Sequence, residues 1–158
     1  MTNLSIGDIA PKFSTIISKN KVLNSSDLAE KYIVLYFYPR DNTPGCTMES
    51  KDFNSLYSEF QSLGAEIIGV SKDTVESHEN FKNKYELKFP LGSDNEGELC
   101  EQYGVWVQKS MFGKKYMGIK RTTFLIAPQG KIAYIWPSVS VLGHASKVLK
   151  QLKQIKTV

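Results

Sequence analysis

The chain has 158 residues, 41% of them hydrophobic and 23% charged, with a formal net charge of +4. That size and balance suit one globular domain over residues 1–158, with no stretch polar enough to stay disordered. The mild charge gives no argument for nucleic acid as a partner. The apolar run from Ile33 to Tyr38 is far too short to cross a bilayer. "MTNLSIGDIAPKF" lacks the charged start and apolar stretch of a secretory signal, so a cytoplasmic setting is expected. There the two cysteines, Cys46 and Cys100, would stay reduced unless chemistry oxidises them. Their spacing, with only His78 and His144 as further soft ligands, matches no metal site, and no cofactor is expected.

In chain order, "KYIVLYFY" reads as a buried strand, rich in β-branched and aromatic residues and too short for a helix. From Cys46 the pattern turns helical: Phe53, Leu56, Tyr57, Phe60 and Leu63 recur until Gly64 stops the run. "AEIIGVS" is a second buried strand. "DTVESHENFKNKY" opens with Asp73 and Glu76 in capping-box spacing and predicts a helix with Phe81 and Tyr85 turned inward. "FPLGSD" predicts a short strand and "GELCEQYGV" a short helix carrying Cys100. The cation-rich "QKSMFGKKYMGIKR" reads as a solvated loop covering the site. "RTTFLIAPQGKIAYIW" is a hairpin turned by "PQG". "HASKVLKQLKQI" closes the chain as an amphipathic helix, with Val148, Leu149, Leu152 and Ile155 inward, its lysines outward and His144 as a capping or surface residue. This order implies an α/β domain, a central mixed sheet flanked by helices. A thioredoxin-like fold satisfies it.

The segment "YPRDNTPGCTMES" ends a strand and starts a helix within a few residues. Pro39 cannot donate to a central ladder, Pro44 presets a helical φ, and Gly45 lets the backbone approach a ligand closely. Cys46 therefore falls in the first helical turn, where unpaired amides carry about half a positive charge and favour a thiolate. It is expected to face a small pocket there. Thr43, three residues earlier, offers a hydroxyl that can orient an oxygen-containing substrate, or serve only as a turn or cap.

"PRDNTPGC" has the form P-x-x-x-T-x-x-C, and it resembles the active-site motif of the peroxiredoxins. The longer "YFYPRDNTPGCTMES" is similar to the subfamily called PrxQ or bacterioferritin comigratory protein, as are "GDIAPKF", "LCEQYGVW" and "GIKRTTFLIAPQGKI" in the same order. The resemblance implies a thiol-dependent peroxidase acting on hydrogen peroxide and organic hydroperoxides. It implies Cys46 as the peroxidatic nucleophile that becomes a sulfenic acid, Thr43 as the hydroxyl that holds the peroxide, and Pro39 as the shield from water. Arg121 is then the guanidinium beside the sulfur, and Glu49 the carboxylate that holds Arg121. A permanent cation near sulfur stabilises the charge moving onto the peroxide oxygens.

One departure stands out. Many PrxQ proteins carry a resolving cysteine five residues after the first, and that position is Lys51 here. The next helix, where other members carry it, contains no cysteine either. Cys100 reads first as a buried structural thiol, with a resolving partner or an intermolecular or regulatory use as alternatives. The sulfenic acid is then expected to await an external thiol reductant, thioredoxin or glutathione with glutaredoxin. A monomer is the expected state, a dimer the alternative. The competing function is a redox sensor or holdase-like protein switched by oxidation of Cys46.

Overall fold

The structure, a computed structural model, describes residues 2–157. Among them the elements run β1 (Ser14–Ser18), β2 (Lys21–Asn24), β3 (Tyr32–Phe37), α1 (Pro44–Ser55), α2 (Tyr57–Ser62), β4 (Ala65–Ser71), α3 (Val75–Tyr85) and β5 (Leu91–Ser93). Then follow α4 (Glu98–Gln102), β6 (Trp106–Met111), β7 (Lys114–Ile119), β8 (Thr122–Ile126), β9 (Ile132–Trp136) and α5 (His144–Lys156).

The apolar run YIVLYF forms the central strand β3, as a segment covered on both faces should. It pairs parallel with β4 and antiparallel with β8, so that Val34 faces Ile67 on one side and Leu125 on the other. The sheet order is β2-β1-β5-β4-β3-β8-β9, with β6 and β7 forming a separate two-stranded sheet. The domain is thus the expected mixed α/β sheet flanked by helices, a thioredoxin-like fold.

Alternation along β3 divides the interior in two. Val34, Tyr36 and Tyr38 point into a core completed by Phe53, Phe60, Phe81, Val148 and Leu152 of the helices. Ile33, Leu35 and Phe37 point into a second core with Leu99, Cys100, Tyr103 and Phe124. Tyr36 stacks on Phe53 with ring centroids 4.8 Å apart and meets Phe89 edge-on at 6.0 Å. Its hydroxyl bonds the buried Ser50 hydroxyl at 2.8 Å, so the strand is tied to α1 by packing and by a satisfied polar pair.

Four local expectations are corrected and one element is added. The hairpin β1–β2 is an addition to the expected elements: its turn lacks glycine, and Ile16 and Val22 lie on its exposed side, which blurs the alternation. The segment expected as a loop after Trp106 is the paired hairpin β6–β7. The helix from Cys46 to Leu63 is broken at Leu56, whose φ of −102° and ψ of 1° leave the helical well and separate α1 from α2. The cap of α3 is Thr74, whose Oγ1 accepts from the Ser77 amide at 3.1 Å, because Asp73 is engaged elsewhere. His144 is buried rather than at the surface, and Gly143 occupies the cap position. Its Nε2 and the Thr123 hydroxyl lie 2.8 Å apart, and burial first, with Arg121 and Lys147 adding to it, pulls its pKa down to about 4. Among the described residues no helix is long and apolar enough to cross a membrane.

Candidate active site

Strand β3 ends where its hydrogen bonds end: the Tyr38 amide still donates to Val70 O, and Pro39 follows with no donor to offer. The chain turns through Asn42, held at φ 63°, a conformation that asparagine tolerates well among residues with a β-carbon. Thr43 is the N-cap of α1, with Pro44 and Gly45 in its first two positions. Cys46 follows in the first turn.

Arg121 immediately precedes β8, whose Thr122 pairs with Phe37 at the end of β3. That antiparallel register carries the guanidinium back to the start of α1. Its Nη2 donates to Cys46 Sγ at 3.3 Å and its Nη1 to Glu49 Oε1 at 2.6 Å. Gly45 makes this approach possible: a β-carbon there would sit 3.3 Å from Nη2. The Arg121 carbonyl accepts from the Val139 amide at 3.1 Å, fixing the backbone beneath the fork.

The carboxylate of Glu49 is wholly buried, and its Oε2 has no hydrogen-bond partner. Burial pushes its pKa up from 4.5 to about 7, with Arg121 opposing the rise. Burial would lower the pKa of Arg121, but Glu49 and Cys46 beside it more than offset that, and the guanidinium stays charged. A fixed cation therefore bridges a thiol and a carboxyl, and the two prongs orient it as one ammonium could not.

Cys46, Glu49 and Arg121 are thus brought into direct contact. Thr43 stands at the head of the same turn, but its hydroxyl donates to Arg40 O at 2.9 Å. Pro39 lies half-buried at the strand end. Cys46, expected to face a small pocket, is 0% exposed, so its sulfur lies beneath the surface. Cys100 lies across the sheet, in the core that holds Phe37, whereas Cys46 belongs to the core that holds Tyr36. Its amide donates to Asp94 at 2.8 Å, and burial, followed by Asp94, pushes its thiol well above the ordinary range.

Sequence reasoning missed the groups that hold the loop before α1. The Tyr38 hydroxyl donates to Asp41 Oδ1 at 2.6 Å, while Ser77 Oγ at 2.8 Å and His78 Nδ1 at 2.9 Å meet Asp41 Oδ2. The Asp41 amide donates to Asp73 Oδ2 at 2.8 Å. Burial works against the Asp41 carboxylate, yet the bonds from His78, Tyr38 and Ser77 outweigh it and hold its pKa below the usual value. The ligand atoms of Asp41, Asp73 and His78 lie within 4.8 Å of one another, a spacing that suits a metal, but here they satisfy one another and the backbone. Apart from Tyr38, these partners are 32 to 37 residues from Asp41. The one local signal is Asp41 itself, polar at the end of a buried strand.

A sheet with two cores, and a cysteine at a helix start gripped by an arginine fork, define a thiol enzyme of the thioredoxin-like class. Comparison with known proteins narrows this. Residues 6–135 match the AhpC/TSA family. A putative peroxiredoxin bcp of Coxiella burnetii is 46% identical over 150 residues, 95% of this chain and 99% of that protein. The crystal structure of a cysteine-to-serine variant of Xylella fastidiosa PrxQ superposes with a TM-score of 0.93 at 38% identity, covering 99% of both chains. A bacterioferritin comigratory protein of Xanthomonas campestris, described for its alkyl peroxide reduction, superposes at 0.90 with 41% identity over 98% of each chain. The chain therefore belongs to the AhpC/TSA family, among the peroxiredoxins called Bcp or PrxQ. Its activity is that of a thiol-dependent peroxidase, and the comparisons favour this over a sensor or holdase.

Proposed function

We propose that Cys46 is the peroxidatic residue of a one-cysteine peroxidase that reduces hydrogen peroxide and organic hydroperoxides. The observation that carries this is the Arg121 fork, bonded at once to Cys46 Sγ and to Glu49. The Cys46 thiolate attacks the terminal peroxide oxygen; an S–O bond forms, the O–O bond breaks, and the alkoxide or hydroxide leaves and takes up a proton. Sulfur is oxidised to the sulfenic acid and the peroxide is reduced to an alcohol or water. Arg121 stabilises negative charge as it passes from sulfur to the oxygens, which is where a preformed cation lowers the barrier most. Glu49 positions Arg121. Thr43 turns its hydroxyl from Arg40 O toward the peroxide, and Pro39 keeps water from the sulfur.

The sulfenic acid is resolved from outside. A disulfide needs Cα atoms within about 7 Å, and the sheet stands between Cys46 and Cys100. A thiol of thioredoxin, or of glutathione with glutaredoxin, attacks the oxidised sulfur; water leaves, and a second thiol releases Cys46. The protein works as a single-domain cytoplasmic monomer without a cofactor. Intact mass of the reduced protein after one equivalent of hydrogen peroxide, with peptide mapping, tests this. One oxygen added to Cys46 is expected, and loss of two hydrogens through a bond between Cys46 and Cys100 would overturn it.

A further inference from the structure

The hairpin β6–β7 is left unused by the chemistry above. Its root is anchored: Ile119 is buried, Trp106 packs against the second core, and Lys72 Nζ lies 4.2 Å from the Trp106 ring centroid. Beyond the root the two strands pair only with each other. Toward the tip Met111, Tyr116 and Met117 are exposed, and Phe112 is 98% exposed. Phe112 and Gly113 have φ of 52° and 79°. That is the geometry of a primed two-residue turn, whose first position favours Asn, Asp or Gly. A bulky β-carbon-bearing residue is strained there. The fold thus keeps an aromatic ring where both solvent and backbone disfavour it, the mark of a position kept for contact.

Charge adds a direction. From Gln102 to the C terminus the sequence holds ten Lys and Arg and no Asp or Glu, and all 16 acidic residues lie before it. Lys109, Lys114 and Lys115 belong to this hairpin. Lys109 runs its stem over Gly118, and burial first, then the nearby charge of Arg121, lowers its pKa.

Resting on the reading that Cys46 is resolved by an outside thiol, we propose that the β6–β7 hairpin is the docking surface for a protein dithiol with an acidic rim, its apolar tip seated on that partner around Phe112. Electrostatic complementarity steers such an encounter, and a buried aromatic anchor holds it. The partner's thiolate then attacks the oxidised Cys46 sulfur, forming the S–S bond as the S–O bond breaks, and the departing hydroxide takes up a proton to leave as water.

The test combines Phe112→Ser, Lys114→Glu and Lys115→Glu in the full chain. Hydrogen peroxide turnover is followed with thioredoxin, with glutaredoxin and glutathione, and with dithiothreitol. The expected result is a rise of tenfold or more in KM for the protein reductant, with turnover on dithiothreitol and the rate of Cys46 oxidation by peroxide within twofold of wild type. Raising salt from about 0.05 to about 0.5 M should raise the wild-type KM and leave that of the variant flat. An unchanged KM overturns the proposal, as does an equal loss with dithiothreitol. So does a wild-type protein reduced no faster by either protein reductant than by dithiothreitol at equal thiol. Loss of binding to phosphatidylglycerol vesicles with KM unchanged would assign the hairpin to an anionic membrane instead. Failure of the peroxidase reading looks different: wild-type Cys46 would then not react with peroxide at all.

Discussion

Replacing Glu49 by glutamine removes a charge while keeping its shape and one acceptor oxygen. In the folded protein the carboxyl has its pKa pushed up from 4.5 to about 7, chiefly by burial. Its Oε2 has no partner to compensate. Carrying a carboxyl between those values on folding corresponds to roughly 3 kcal/mol. The sign follows from which form the fold prefers. Below pH 4.5 the group is protonated in both states and costs nothing. Above about pH 7 it is ionised in both, and the full cost is present. Wild-type stability contributed by this group is therefore lost as pH rises through that window, whereas the glutamine side chain of Glu49→Gln does not titrate. Between about pH 5 and about pH 8 the variant should gain roughly 2–3 kcal/mol on the wild type, the part of the cost that develops in that range. His144, held down to about 4, works in the opposite sense, its stabilisation fading as pH falls from 6.5. It is common to both proteins and cancels in the difference. Urea unfolding followed by tryptophan fluorescence at several pH values across that range measures it. A difference constant within about 0.5 kcal/mol would show Glu49 ionised throughout, with Arg121 outweighing burial, and would refute the reasoning.

Arg121→Lys keeps the charge but cannot reach sulfur and carboxylate together. The rate of Cys46 oxidation by hydrogen peroxide should fall about 100-fold in stopped-flow fluorescence, the scale for losing one aligned donor to developing charge; a loss under threefold would remove the fork from the mechanism. Cys100→Ala should leave peroxide turnover within twofold of wild type while lowering stability by about 1–2 kcal/mol, because it empties a little of a closed core and touches no reacting group. A variant that over-oxidises or stalls after one turnover would make Cys100 a participant.

The parts of the fold legible in the sequence are those set by short-range signals. A six-residue apolar run announces β3, Gly64 announces the end of a helix, and a Pro-Gly pair announces the turn into α1. Cys46, Glu49 and Arg121 are named together through a motif, and the register of Phe37 against Thr122 explains physically why a residue 75 positions away meets the sulfur. What escapes depends on distant partners. Asp73 belongs to the stretch of chain that caps a helix, yet it is claimed by the amide of Asp41 and the hydroxyl of Ser71, so the cap passes to Thr74. His144 sits among lysines in sequence, but the start of α5 packs against Phe53 and Trp136 and carries the imidazole inside. The hairpin β6–β7 is exposed near its tip, where lysines are interleaved with Met111, Phe112 and Met117, and without alternation its strands leave no periodic trace.

The complete enclosure of Cys46 makes access a separate step of the catalytic cycle. A peroxide molecule is small, but a thiol reductant, a protein one above all, would have to come within bonding distance of a sulfur that the folded surface does not present. Recycling would therefore require a transient excursion that uncovers the sulfur. With an opening free energy of about 3 kcal/mol, roughly one molecule in 150 would be receptive at any instant. Reductant added beyond a certain concentration would then stop accelerating turnover, because the fold itself would set the pace.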